Sequence, residues 1–181
     1  MKISDGTLTI RSAELEDAEQ LAAWWNDGSV MAHAGFPNGL GTTAEVTRNM
    51  LKRNVTDLSQ NLIIEETDVP IGEMNYRVSD HAAEVGIKVC NPEYQNGGRG
   101  TRLMRLLISY LFDNEDLNQL HRIDRIILDT NMKNKRAQHV YEKIGFRQIA
   151  VNENSWRDQL GNWQSSVDYE LTRKDWAPLA I

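Results

Sequence analysis

The chain opens with an alternation of polar and apolar residues, Thr7-Leu-Thr-Ile-Arg11, which predicts a strand with one buried face. The period then changes. Leu15, Ala18, Leu21, Ala22 and Trp25 recur at helical spacing, so Glu14 to Trp25 is expected to form a helix, with Ser12 as its N-cap and acids in its first turn. From Asn26 to Thr43 the pattern dissolves into Gly, Asn and Pro37, the composition of a loop or short helix, and a second helix follows from Thr43 to Val55. Asn61–Glu66, Ile71–Val78 and Ala82–Cys90 form a meander of three strands, with Thr67-Asp-Val-Pro70 as the first turn. Thr101–Asp113 is a strongly apolar helix that runs into a polar stretch ending near Arg122. Asp124–Asp129 is a short buried strand. Lys135–Ile144 is a helix that turns Ala137, Val140, Tyr141 and Ile144 inward, with Gly145 placed for a left-handed C-terminal cap. Phe146–Val151 and Trp163–Leu171 close the pattern as strands, the second with Val167, Tyr169 and Leu171 on one face, after a turn at Gln159–Asn162.

Around residues 82–129 the order is strand, helix, strand, and such a crossover makes its two strands parallel. The other connections are antiparallel. The expected architecture is α/β: a mixed central sheet of six or seven strands with helices on both faces, in one domain spanning residues 1–181.

Composition narrows the function. A net charge of -6 and a pI near 5.2 argue against a nucleic-acid partner, which calls for a basic face. The acidity suits a cationic amine substrate, or serves solubility alone. The single cysteine, Cys90, cannot form an internal disulfide, which fits a reducing cytoplasm. At the end of an apolar strand it reads as a core residue more readily than as a nucleophile. The start, Met-Lys-Ile-Ser-Asp-Gly, lacks the apolar region of a signal peptide. The apolar run Leu103–Phe112 is too short to span a bilayer, so no membrane role is expected.

The candidate chemistry begins at Pro92-Glu-Tyr-Gln-Asn-Gly-Gly-Arg-Gly-Thr101, a glycine-rich loop that runs straight into a helix. The unpaired amides and dipole of a helix N-terminus, reached over glycines without Cβ atoms, suit a phosphate or pyrophosphate; the same residues also make a flexible turn. The loop has no Lys-Ser or Lys-Thr of a P-loop, and Leu103 stands where a dinucleotide fingerprint needs glycine. What it does fit is Gln95-x-x-Gly98-x-Gly100. Together with Ala83-Glu-Val-Gly-Ile-Lys-Val89 before it and Asn131-x-x-Asn134-x-Arg-Ala-x-x-x-Tyr141-Glu-Lys-x-Gly145-Phe146 after it, this loop resembles the GNAT family of acetyl-CoA-dependent N-acetyltransferases. The opening Leu8–Leu21 resembles the first strand and helix of that family, and the tail from Trp156 to Leu171 is similar to the branch that holds ribosomal-protein N-terminal acetyltransferases and spermidine acetyltransferase, so the likeness covers nearly the whole chain.

The resemblance implies a set of roles. Gln95, Asn96, Gly97, Gly98, Arg99, Gly100 and Thr101 would cradle the pyrophosphate of acetyl-CoA, with Arg102 as a further cation, and Ile87, Lys88 and Val89 would pair their backbone with its pantetheine arm where two strands splay after residue 89. Asn131 and Asn134 would bind the same co-substrate, and Asn134 can also cap the helix at Lys135. Tyr141 would give a proton to the departing thiolate; read alone, it is a core tyrosine. Glu84 would take the amine's proton, directly or through water, or simply face solvent, with His33 and Glu73 in reserve. Trp25, His33, Phe36 and Trp156 would line the acceptor pocket. The remaining histidines, His81, His121 and His139, read as surface residues. No metal-ligand spacing is present, so no metal is expected. The implied activity is acetyl transfer to a primary amine, be it a protein N-terminus, a polyamine or another small amine, by direct attack in a ternary complex. The implied protein is a monomer or homodimer. The alternative is a non-catalytic module that holds acyl-CoA for sensing or assembly.

Overall fold

The computed structural model describes residues 1–53 and 56–177. Two short strands, β1 (Lys2–Asp5) and β2 (Leu8–Ser12), form an opening hairpin. The helices α1 (Ala18–Asn26), α2 (Gly28–Met31) and α3 (Ala44–Arg53) follow, then the meander β3 (Ser59–Glu66), β4 (Val69–Ser79) and β5 (Ala82–Val89). Next come α4 (Arg99–Asp113), α5 (Glu115–Leu120), β6 (Arg125–Asn131), α6 (Lys135–Ile144), β7 (Arg147–Arg157) and β8 (Trp163–Thr172). No described helix is long and apolar enough to cross a membrane.

All eight strands join one sheet in the order β1-β2-β3-β4-β5-β6-β8-β7. Among the described strands only β5 and β6 run parallel, as the crossover through α4 requires. The count exceeds the expected six or seven because Lys2–Asp5 pairs with Leu8–Arg11 around Gly6, in a stretch whose polar residues hide its strand character. The β3–β4 and β4–β5 turns both place two successive residues at positive φ, Thr67 and Asp68 (53° and 62°) and Asp80 and His81 (48° and 62°), the backbone of a tight hairpin turn.

Two apolar layers sandwich the sheet. On one face α4 buries Leu103, Met104, Leu107, Ile108, Leu111 and Phe112, and α6 buries Tyr141 and Ile144, against Ile10, Ile64, Met74, Ala83, Val85, Ile126, Leu128 and Tyr169. On the other, α1 and α3 pack Leu21, Trp24 and Leu51 on Ile63 and Cys90. The Cys90 thiol is pushed up to about 12 by burial, as expected of a core residue that stays protonated.

Some local expectations are corrected. Ser12 ends β2 instead of capping a helix, because its hydroxyl donates to Gln60 Oε1 at 2.7 Å. The helix begins as a 3-10 turn over Leu15–Asp17, capped by Glu14, whose N–H donates to Asp17 Oδ2 at 2.7 Å. The polar stretch after Asp113 holds α5, capped by the Asn114 side chain on the Leu117 N–H at 2.8 Å. The expected end of the second helix at Val55 lies outside the described residues.

Candidate active site

The site follows from how β5 and β6 pair. They share register only over Ala82–Glu84 with Arg125–Ile127 and then part, β5 running on to Val89 and β6 to Asn131. The splay therefore begins after Glu84, five residues earlier than the sequence led us to expect. Beyond it, Val85–Val89 pair only with β4, so one edge of β5 is open. A cleft of about 900 Å³ fills the gap, lined by Glu84, Ile87, Lys88, Val89, Gln95, Gly100, Asn131, Asn134 and Tyr141, with His33 and Trp156 over its far end.

At the near end the glycine loop turns into α4. Asn96, Gly97 and Gly98 take three successive positive φ values, 73°, 67° and 77°. Among the described residues no side chain caps α4 at Gly98, and the first of its amides to reach a backbone carbonyl is that of Arg102, on Gly98 at 3.1 Å. A Cβ at Gly98 or Gly100 would meet nothing within 4 Å. Unpaired amides around open space, at the positive end of a 15-residue helix, form an anion cradle. Arg99 pairs with Glu66 at 2.7 Å and keeps Nη1 over Gly97, whereas Arg102 faces away to Asp5 at 2.9 Å. Asn96, Gly97, Gly98, Arg99 and Thr101 thus sit at the rim, outside the cleft lining, while Gln95 and Gly100 enter it. Gln95 joins the two walls: its Nε2 donates to the Val89 carbonyl at 3.0 Å, and its Oε1 accepts from Arg136 of α6 at 3.0 Å.

On the opposite wall Asn134 caps α6 through the Ala137 N–H at 3.2 Å, while Asn131 donates to Gln164 at 3.3 Å and accepts the Lys133 N–H at 2.9 Å. Tyr141 is only 5% exposed, its ring packed edge-on against Tyr169, yet among the described residues its hydroxyl finds no hydrogen-bond partner, and the residue lines the cleft. Burial, and then the nearby charge of Asp129, push its phenol up to about 12, so it stays protonated at any ordinary pH.

The far end is assembled from distant segments. Ser29, Val30, His33 and Ala34, from α2 and the 3-10 turn after it, form one wall. The tip of the β7–β8 hairpin closes over them. Trp156 lies so near Gly35 that a Cβ there would sit 2.5 Å from its ring, and Gly35 has a φ of 95°. Gln159 stitches the tip down: its N–H donates to the Gly35 carbonyl at 2.8 Å, its Nε2 to the Gly39 carbonyl at 3.0 Å, and its Oε1 accepts the Asn38 N–H at 3.0 Å.

Two expected pocket residues do not line the cleft. The Trp25 indole donates to Glu73 at 2.9 Å, and Phe36 sits half-buried beside the Gly35 turn. Glu73 is 3% exposed and also holds Lys88 at 2.9 Å, so it is not a free base. Glu84 is exposed at the mouth of the splay and makes no ion pair among the described residues. Sequence reasoning missed Asp129, which lines the same cleft from β6. The available signal was an acid ending the apolar run Ile126-Ile-Leu128, at the carboxyl end of the parallel strand, where open sheets bind ligands.

The sequence profile of the acetyltransferase (GNAT) domain family matches residues 7–147. The chain belongs to the GNAT family. It is a GNAT N-acetyltransferase. Among curated GNAT relatives, the uncharacterized N-acetyltransferase YnaD of Bacillus subtilis is 27% identical over 169 residues, 88% of this chain and 94% of that protein. Spermidine N(1)-acetyltransferase of Escherichia coli K12 is 27% identical over 146 residues, 77% of this chain and 73% of that protein. The GNAT fold is shared with a spermidine N-acetyltransferase from Vibrio cholerae, solved with CoA and spermine, at a TM-score of 0.80 and 18% identity over 94% of this chain and 98% of that one. It is shared equally with the ribosomal alpha-N-protein acetyltransferase RimL, solved with coenzyme A, at a TM-score of 0.82 and 16% identity over 95% and 98%.

Proposed function

We propose that this GNAT enzyme uses acetyl-CoA to acetylate a primary amine by direct attack, with both substrates held in the splay between β5 and β6. The observation that carries the reading is the Tyr141 hydroxyl, unpaired among the described residues on a buried ring, in a cleft that runs from an anion cradle to an acid-lined pocket.

The open space at Gly98 and Gly100, the uncapped α4 amides and the free β5 edge fit the pyrophosphate and pantetheine of coenzyme A. When bound, acetyl-CoA supplies an activated thioester. The residues Gln95 to Thr101 hold its phosphates, Ile87, Lys88 and Val89 offer backbone to its arm, and Asn131 and Asn134 bound the opposite wall. Tyr141 donates its proton to the sulfur that leaves, a transfer a phenol can make to a thiolate. Glu84 meets the acceptor's ammonium at the mouth of the splay and handles its proton, directly or through water. His33 and Trp156 shape the acceptor pocket, where the Trp156 ring can also face a cation. The continuous sheet from β1 to β8 supports one catalytic domain.

The neighbours include polyamine and ribosomal-protein acetyltransferases, so the acceptor is sought among small amines, polyamines and protein N-termini. The test is CoA release from acetyl-CoA against a panel of polyamines, monoamines and N-terminal peptides. At least one class should turn over, and acetyl-CoA alone should raise the Tm by mass action on the folded state. Binding without turnover on any amine would leave a holding module instead.

A further inference from the structure

We propose that Asn75 is a specificity-determining residue of the acceptor pocket, and that it selects an amine whose neighbouring group is an amide, as at a peptide N-terminus, over an amine followed by a second ammonium. The inference rests on the N-acetyltransferase reading above and names the acceptor chemistry which that reading leaves open.

Asn75 stands on the floor of the cleft. On β4, Glu73, Asn75 and Arg77 project from one face, since side chains alternate along a strand. Their partners across on β5 are Lys88, Gly86 and Glu84. The two outer pairs are charged. Glu73 holds Lys88 at 2.9 Å and is 3% exposed, so this carboxylate is closed to a ligand. Arg77 faces Glu84, and both are exposed. The middle pair is neutral, and one of its members has no side chain. Asn75, Glu84 and Gly86 all line the cleft. The Asn75 carboxamide lies over Gly86, where a Cβ would sit 3.0 Å from its Nδ2 and 3.2 Å from its Oδ1. Gly86 is an ordinary strand residue without a positive φ, so what this glycine provides is the space. Among the described residues the carboxamide makes no hydrogen bond, and Asn75 is exposed.

A free carboxamide offers a donor and an acceptor side by side. That pattern matches an amide, whose carbonyl takes the Nδ2–H and whose N–H gives to Oδ1. It does not match an ammonium, which only donates and gains most from a carboxylate. The course of the floor favours the same acceptor. From Gly86 it continues through Asn75 to Asn61, the neighbour of Asn75 across on β3, and this row carries no charge. On the other side of the splay Asp168, across from Asp129, does not line the cleft. An acceptor tail that runs over Gly86 therefore meets carboxamides. Arg77, on the same face of β4, repels a second cation there. Glu84 is left to the reacting ammonium.

The test measures kcat/KM for spermidine and for a panel of tripeptide amides with different first residues, in wild type, Asn75→Ala, Asn75→Asp and Gly86→Ala. Wild type should favour its best peptide by about tenfold or more. Asn75→Ala should move the peptide-to-spermidine ratio about tenfold toward spermidine, the weight of one or two lost hydrogen bonds, with the KM for acetyl-CoA unmoved. Asn75→Asp should move it further, because a carboxylate takes a second ammonium and has no donor for a carbonyl. Gly86→Ala should match Asn75→Ala, since its methyl displaces the carboxamide. The double variant Asn75→Ala with Gly86→Ala should then be no worse than either alone, the mark of two residues that act through one contact. Equal losses on both kinds of acceptor, or additive losses in the double variant, overturn the assignment and leave Asn75 a support of the floor. So does a wild type that prefers spermidine to every peptide. A wild type that acetylates no amine at all removes the N-acetyltransferase reading itself, and this inference with it.

Discussion

At one end of the cleft the chain presents backbone: the amides after Gly97, the free edge of β5, and glycines chosen for the side chains they lack. At the other it presents side chains, Glu84, Asp129, His33 and Trp156, brought from four separate elements. A backbone site recognises what every substrate pair shares, a pyrophosphate and a flexible arm, and needs little more than the right φ angles. A side-chain site recognises what differs, and each residue in it can change without disturbing the helix or strand that carries it.

The largest effect should fall on the boundary between the two. Tyr141→Phe is expected to lower kcat by about ten- to a thousandfold while leaving the acetyl-CoA Tm shift intact, since it removes a donor and no binding contact. Because burial places the phenol near 12, wild-type kcat should show no alkaline limb traceable to this residue below about pH 11. An unchanged kcat, measured where chemistry limits turnover, would make Tyr141 a core residue. Next in size is Gly98→Val. A β-branched residue at a φ of 77° is strained. A strain of about 1–3 kcal/mol, relieved by moving the loop out of its cradle geometry, corresponds to a loss of about five- to 150-fold in CoA affinity. Amine binding should be spared, and calorimetric titration showing equal CoA affinity would dissolve the cradle. Glu84→Gln acts on the opposite end. Removing one partly solvated charge should lower kcat/KM about three- to tenfold at neutral pH. The deficit should fade at high pH, where the amine is already neutral; a deficit constant through the alkaline range would free Glu84 of any part in proton handling. Smallest is Gln159→Ala, expected to raise the acceptor KM about two- to threefold with the KM for acetyl-CoA unmoved, the weight of a few surface hydrogen bonds. If the KM for acetyl-CoA moved instead, the two ends would not be separable.

The same contrast explains what could be read from the sequence. The glycine loop, Asn134 and Tyr141 lie within two contiguous stretches whose spacing carries their geometry, and the order of elements follows from periodicity alone. The strand Lys2–Asp5 escaped because three of its four residues are polar and it lies at an edge. Asp129 escaped because its place in the cleft comes from the parting of β5 and β6 after Glu84 and Ile127, which only the pairing of the strands reveals. Trp25 and Phe36 looked like pocket residues by type, but the indole of one is held by a buried Glu73, and no spacing rule foretells a partner 48 positions away. The splay point is likewise a property of pairing: nothing in Ala82–Val89 marks Glu84 as the last residue to meet β6.

Gln159 reaches across 120 residues to fasten the hairpin tip to the Gly35–Gly39 loop. The acceptor pocket is therefore inherited in two instalments that must match. A loop taken from a relative and grafted here without its own hairpin tip would arrive with the wrong fastening and leave Trp156 without its seat on Gly35. Exchanging acceptor preference between members of this fold should succeed when both pieces travel together and fail when either travels alone.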